Sequence, residues 1–81
     1  MIPSQINYRH LHYFWVVAKE GSLSRAAARL GVAVQTISAQ LAQLERDLGM
    51  ALLAPQGRGL VLTEAGRTAL GYADQIFQLG A

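Results

Sequence analysis

Residues 22–45 read SLSRAAARLGVAVQTISAQLAQLE, and the Ala26-Ala27 pair followed by Gly31 is the tightest constraint on what this chain can fold into. Ala26, Ala27 and Leu30 fall on one side of a short helix whose start Ser22 or Ser24 can cap by accepting an amide hydrogen bond. Gly31 then supplies the left-handed backbone that a sharp exit needs, and Val32 is the apolar residue buried in the turn. A new helix opens near Val34, with Ile37, Leu41, Leu44 and Leu48 spaced three and four apart and Gly49 closing it. Two helices joined by so short a glycine turn form a helix-turn-helix when they cross steeply. Steep crossing needs small side chains at the contact, which the alanine pair provides. This unit spans residues 23–42.

The flanking segments complete a mainly α fold. Asn7 caps a first helix from Tyr8 to Glu20, with Leu11, Phe14, Trp15, Val17 and Ala18 at helical spacing and Gly21 at its end. After Gly49 the period changes. Two short apolar runs, residues 51–54 and 60–62, flank Pro55-Gln56-Gly57-Arg58-Gly59, which reads as a hairpin with Pro55 at an edge or strand end. Thr63 caps a last helix over residues 64–79, with Glu64 at the positive end of its dipole. The expected organisation is a flexible lead-in (1–6), a three-helix body with a small two-stranded wing (7–63) and a long terminal helix (64–81).

Packing Ile37 and Leu41 inward leaves Gln35, Thr36, Ser38, Ala39 and, further on, Gln43 outside. Major-groove base edges offer donors, acceptors and thymine methyls, which Gln, Thr and Ser match in size and chemistry. The plainer reading is a solvated polar face. The alanine pair, the glycine turn and the following arginine hairpin together favour DNA, with Gln35, Thr36 and Ser38 as base contacts. Arg58, between two glycines, suits a wing entering the minor groove or following a phosphate strand. Ser24 and Arg25, at a helix start, suit backbone phosphates. In the last helix Ala69, Tyr72, Ala73, Ile76 and Phe77 form an apolar stripe. Part of it packs on the first helix near Trp15, and the surplus is buried most simply against a second copy, with Gly66 and Gly71 allowing close backbone approach. The competing reading folds this helix wholly onto its own domain.

Composition excludes other classes. There is no cysteine, so disulfides and thiolate zinc sites are out, and no apolar run approaches the roughly 20 residues of a membrane span. A cytoplasmic location is expected. The net charge is only +2, with Lys19 the one lysine among arginines, a weak sign of a phosphate-bearing partner. His10 and His12 point to different helix faces and nothing completes a metal site. No nucleophile–base arrangement or phosphate loop is present, so neither an enzyme nor a cofactor is expected.

The combination of Phe14, Gly21-Ser22, Ala26-Ala27, Leu30, Ile37-Ser38, Leu44-Glu45, Leu48-Gly49, Leu52, Gly59 and Leu62-Thr63 resembles the N-terminal DNA-binding domain of LysR-type transcriptional regulators over nearly the whole chain. Within that family, INYRHLHYFWVVAKEGS and QTIS look most like the branch that activates a sodium/proton antiporter gene. The resemblance implies a winged helix-turn-helix with a linker helix pairing antiparallel into a homodimer, and a tetramer in full-length relatives. It implies a recognition helix at 34–48, a wing at 55–59, and a small-molecule inducer sensed only through a downstream domain that the chain, ending at Ala81, does not contain. The alternative function for such a fold is a winged-helix protein-interaction module without DNA. Three departures stand out. Ala33 replaces a capping Ser or Thr, which should cost on the order of 1 kcal/mol unless another group substitutes. Ala39 replaces a frequent arginine. Ala54-Pro55 stands where a charged residue and arginine are common. Fewer neutralised phosphates imply a shallow salt dependence.

Overall fold

The computed structural model describes residues 7–78, in the order α1 (Tyr8–Glu20), α2 (Leu23–Leu30), α3 (Val34–Leu48), β1 (Leu53–Gln56), β2 (Gly59–Leu62) and α4 (Glu64–Gln78). The expected lead-in at 1–6 and the terminal residues 79–81 lie outside the described range.

Each helix begins and ends where its sequence supplies partners for orphaned backbone groups. The Asn7 carboxamide oxygen accepts the amides of Arg9 at 2.8 Å and His10 at 3.3 Å, opening α1. Of the two candidate serines, Ser22 caps α2, its Oγ accepting the Arg25 amide at 3.2 Å. Gly31 (φ 72°) and Gly49 (φ 74°) take the left-handed conformation after α2 and α3. The amides of the next residues, Val32 and Met50, reach back to the Ala27 and Glu45 carbonyls at 3.1 and 3.2 Å. Both exits are thereby satisfied internally, and the half-buried Val32 plugs the turn.

The core lies around α1, which packs against α2, α3 and α4. Phe14, Ile37, Leu44 and Ala26 are fully buried there, and Ala27 is nearly so. The alanines let α2 lie close to its neighbours, where larger side chains would hold the backbones apart.

The wing differs from expectation at its base. β1 and β2 pair antiparallel in the register Leu53 with Leu62, Ala54 with Val61, Pro55 with Leu60 and Gln56 with Gly59. The turn is therefore Gly57-Arg58 alone, with Gly57 at φ 59°. A positive φ at the first central residue and not at the second is the sign pattern of a type II′ hairpin. Pro55 is tolerated inside β1 because both strands of a two-stranded ribbon are edges. Ala51 and Leu52, expected in the strand, precede it. Leu52 is 1% exposed, and its carbonyl accepts the Thr63 amide at 3.0 Å.

Thr63 joins wing and last helix. Its hydroxyl donates to the Ala51 carbonyl at 2.7 Å and accepts the Gly66 amide at 2.9 Å. Gly66 is indeed a place of close backbone approach, but the backbone is the chain's own. A Cβ there would sit 2.0 Å from the Leu52 carbonyl oxygen, whereas a Cβ on Gly71 would meet nothing within 4 Å. Further along, α4 docks on α1. The Trp15 indole N–H donates to Asp74 Oδ1 at 2.8 Å, and Lys19 Nζ lies 2.9 Å from the same oxygen. The Phe77 ring packs against Tyr8, His12 and Trp15, with centroids 5.1, 4.9 and 5.4 Å away. Such aromatic pairs add to plain area burial.

Two stability outcomes follow. Gly66→Ala should unfold the chain or lower its melting temperature severely, because backbone must move. Gly71→Ala should raise stability by up to about 1 kcal/mol, the usual helix gain over glycine; thermal denaturation of the pair compares them. The hydrogen bond from Lys19, then that from Trp15, hold the Asp74 carboxyl below its ordinary value of 3.8. A lowered folded-state value means the associated stability is full above pH 3.8 and is lost as pH falls below it. Asp74→Asn should remove that part of the acid dependence, so the melting curves of the two proteins converge in acid.

Candidate nucleic-acid interface

The outer line of α3 follows from which residues are buried. With Ile37, Leu41 and Leu44 inward, and about 100° of rotation per residue, the positions furthest from the core are Gln35, Ala39, Ala42 and Arg46. Gln35, Ala39 and Arg46 are exposed and Ala42 is half-buried by its neighbours. Ser38, exposed, lies roughly 60° from Gln35 on one flank. Thr36, half-buried, lies roughly 100° away on the other. Gln35 and Ser38 are thus exposed on the outer line and one flank of α3, and the half-buried Thr36 lies on the other flank.

The flank carrying Ser38 faces the wing. One open groove is lined by Ser24, Val34 and Arg58 together with Leu23 and Leu60. A second runs beside it between Ser38, Ala42 and Glu45 of α3 and Leu53 and Leu60 of the wing. Arg58 at the hairpin tip is exposed and makes no ion pair among the described residues. Ser24, the second residue of α2, is exposed beside the same groove.

Arg25 is placed differently. Its Nη2 donates to the Glu20 carbonyl at 2.8 Å, and its Nε lies 3.9 Å from the Glu20 carboxylate. Arg29 shares that carboxylate at 3.0 Å. Contact with a phosphate requires Arg25 to exchange partners, an easy exchange for a pair this exposed. Arg46, which the sequence reading passed over, stands on the outer line of α3, its Nη2 donating to Gln43 Oε1 at 2.7 Å. The signal was there: 35, 39, 42 and 46 recur at four, three and four residues. Gln43, expected on the outer face, is half-buried and bridges Arg46 to Asp47, donating to Asp47 Oδ1 at 2.9 Å.

Ala33 occupies the N-cap position of α3 with no side-chain hydrogen bond, and among the described residues no other side chain caps it. The amides of Val34 and Gln35 are thus open to an external acceptor. On α4, Ala73 was expected at a dimer surface and is instead fully buried within the chain's own core. Phe77 is committed to the aromatic cluster on α1. Tyr72 (49% exposed) and Ile76 (36%) remain available, with Ala69 partly buried on the same flank. His12 belongs to the aromatic cluster, and among the described residues no three ligand-type side chains converge on a metal position. No helix of the described chain is long and apolar enough to cross a membrane.

The arrangement has close counterparts. The family described as bacterial regulatory helix-turn-helix protein, lysR family, matches residues 8–67. The transcriptional activator protein NhaR of Escherichia coli (strain K12) is 47% identical over 79 residues, covering 98% of this chain and 26% of that protein. The HTH-type transcriptional regulator TcbR of Pseudomonas sp. (strain P51) is 42% identical over 74 residues, covering 91% of this chain and 25% of that protein. The chain thus spans about a quarter of the length of these relatives. Among solved structures, the CbnR DBD–DNA complex superposes with a TM-score of 0.84 at 42% identity, covering 91% of this chain and 85% of that one. The BenM DBD/catB site 1 DNA complex superposes with a TM-score of 0.84 at 35% identity, covering 89% and 80%. On this match of sequence and fold, the chain belongs to the lysR family of bacterial regulatory helix-turn-helix proteins.

Proposed function

We propose that this chain binds double-stranded DNA sequence-specifically, as the DNA-binding module of a bacterial transcription regulator acting in the cytoplasm without catalysis. The observation that carries the reading is that Ser38 of α3 and the exposed Arg58 of the wing line adjoining grooves, with Gln35 exposed on the outer line of the same helix. The DNA-bound neighbours of the same fold favour it over a protein-interaction module.

In this reading α3 lies in the major groove. The Gln35 amide carries both a donor and an acceptor, the complement of adenine N7 and N6–H, and the Ser38 hydroxyl pairs with either kind of group. The uncapped amides at the start of α3, and Ser24 at the start of α2, meet phosphates, where the helix dipole adds attraction. Arg58 enters the adjacent minor groove, whose narrow stretches concentrate negative potential. Thr36 reaches the groove wall away from the wing. A second copy docks along the flank of α4 carrying Ala69, Tyr72 and Ile76, and the two recognition helices then address two half-sites. Inducer sensing and tetramer formation belong to regions beyond this chain.

Selection of bound duplexes from a random pool tests the reading, and recovery of a two-fold symmetric motif is the expected result. Gln35→Ala should relax preference at one base position, with a loss of about 1–3 kcal/mol on the preferred sequence. Arg58→Ala should weaken all sequences more evenly and reduce the salt slope by about 1. A Gln35→Ala protein with unchanged affinity and unchanged preference would remove α3 as the reading element.

A further inference from the structure

Between Gln35 and Arg46 the outermost line of α3 is made of two alanines, Ala39, exposed, and Ala42, half-buried. On a surface facing only water this would be an unremarked stretch of good helix formers. On a surface that faces base edges it has a chemical meaning. A methyl group can neither donate nor accept a hydrogen bond, and the major-groove group it complements is the C5-methyl of thymine. Their small size also lets the α3 backbone approach the floor of the groove, which a long side chain at either position would prevent.

We infer that Ala39, with Ala42 beside it, is a specificity-determining residue that reads thymine methyls. The inference rests on the DNA-binding reading above and extends it to the bases preferred. Ala39 lies one helical turn beyond Gln35, about 6 Å along the axis at ~1.5 Å per residue. Base pairs are spaced about 3.4 Å apart, so the thymine falls one to two steps from the base that pairs with Gln35. Ala42, about 4.5 Å further along the axis, flanks the next step on the wing side, where it borders the groove shared with Ser38 and Leu60. Arg46, one turn beyond, reaches the rim of the duplex and its phosphates. The half-site is then an adenine followed at short distance by thymine, read through a hydrogen-bonded contact and an apolar one.

Replacing single thymines of the selected duplex by deoxyuridine deletes the C5-methyl and keeps the pairing. Burial of one such carbon contributes about 0.8 kcal/mol, a factor of about four in Kd. The wild-type chain should lose about fourfold at one or two thymines of each half-site and nothing at the others. Ala39→Gly, checked for helical content by circular dichroism, should bind duplexes with thymine or deoxyuridine at the position one to two steps from the Gln35 base within twofold of each other. Wild-type indifference to every such replacement would overturn the inference without any need for the variant. So would a full fourfold penalty that persists in Ala39→Gly at every thymine where the wild type shows one. Failure to retain any duplex would instead overturn DNA binding itself, and is distinguishable from a chain that discriminates sequences yet ignores the methyl.

Discussion

The Glu45 carboxylate holds the two halves of the reading surface together. Its Oε2 accepts the backbone amides of Leu52 at 2.7 Å and Leu53 at 3.3 Å, three and four residues beyond the turn at Gly49. Those amides precede or begin β1, so no strand partner serves them both, and Glu45 lies on the flank of α3 that faces the wing. One side chain therefore satisfies the backbone at the foot of the hairpin and fixes the direction in which the hairpin leaves. Hydrogen bonds to a charged acceptor contribute about 1.5–3 kcal/mol, large against the few kcal/mol of net stability available to so small a domain. From Leu52 the constraint passes onward through the Thr63 amide and the bare Cα of Gly66 to α4. Recognition helix, wing and terminal helix meet within a few residues.

The same economy governs charge. A net charge of +2 is small for a protein that addresses a polyanion, and several arginines are already engaged. Arg25 and Arg29 sit on Glu20, and Arg46 bonds to Gln43. Arg58 is the basic group on the groove side without an ion-pair partner among the described residues. In the proposed complex, affinity would then depend less on neutralised phosphates and more on close fit: the approach that alanines allow, the amides left open by Ala33, and hydrogen bonds from Gln35 and Ser38. A surface of this kind gains discrimination at the expense of sequence-independent grip.

How much of this was legible in the sequence varies with the physics of each element. The three helices of the body were legible because a 3.6-residue apolar period agrees with a left-handed glycine at Gly21, Gly31 and Gly49; a polar cap marks the start of α1 at Asn7, two serines competed for that of α2, and α3 opens at the uncapped Ala33. The wing was legible as a hairpin but not in its register, because Leu52 looks like a strand residue and is drawn into the core by contacts distant in sequence. The side of α4 that would face a partner was harder. Its apolar stripe is wide enough to serve two surfaces, and only the positions of Trp15 and Lys19 on α1 decide that Ala73 and Phe77 go inward. Thr36 turns on a related point: Gln35, Thr36 and Ser38 together span roughly 160° of the helix circumference, so Thr36 and Ser38 fall on opposite flanks of Gln35. Arg46 was missed because it lies beyond the polar cluster that drew notice, although it continues the spacing of Gln35, Ala39 and Ala42.

Native-state amide hydrogen exchange at Leu52 and Leu53, compared between the wild-type chain and Glu45→Ala, tests most directly whether Glu45 fastens the wing to α3. Both amides should be protected in the wild type and lose most of that protection in the variant, with core amides of α1 such as Val17 changing far less. Equal protection at Leu52 and Leu53 in the two proteins, or solvent-like exchange of both in the wild type, would contradict the account.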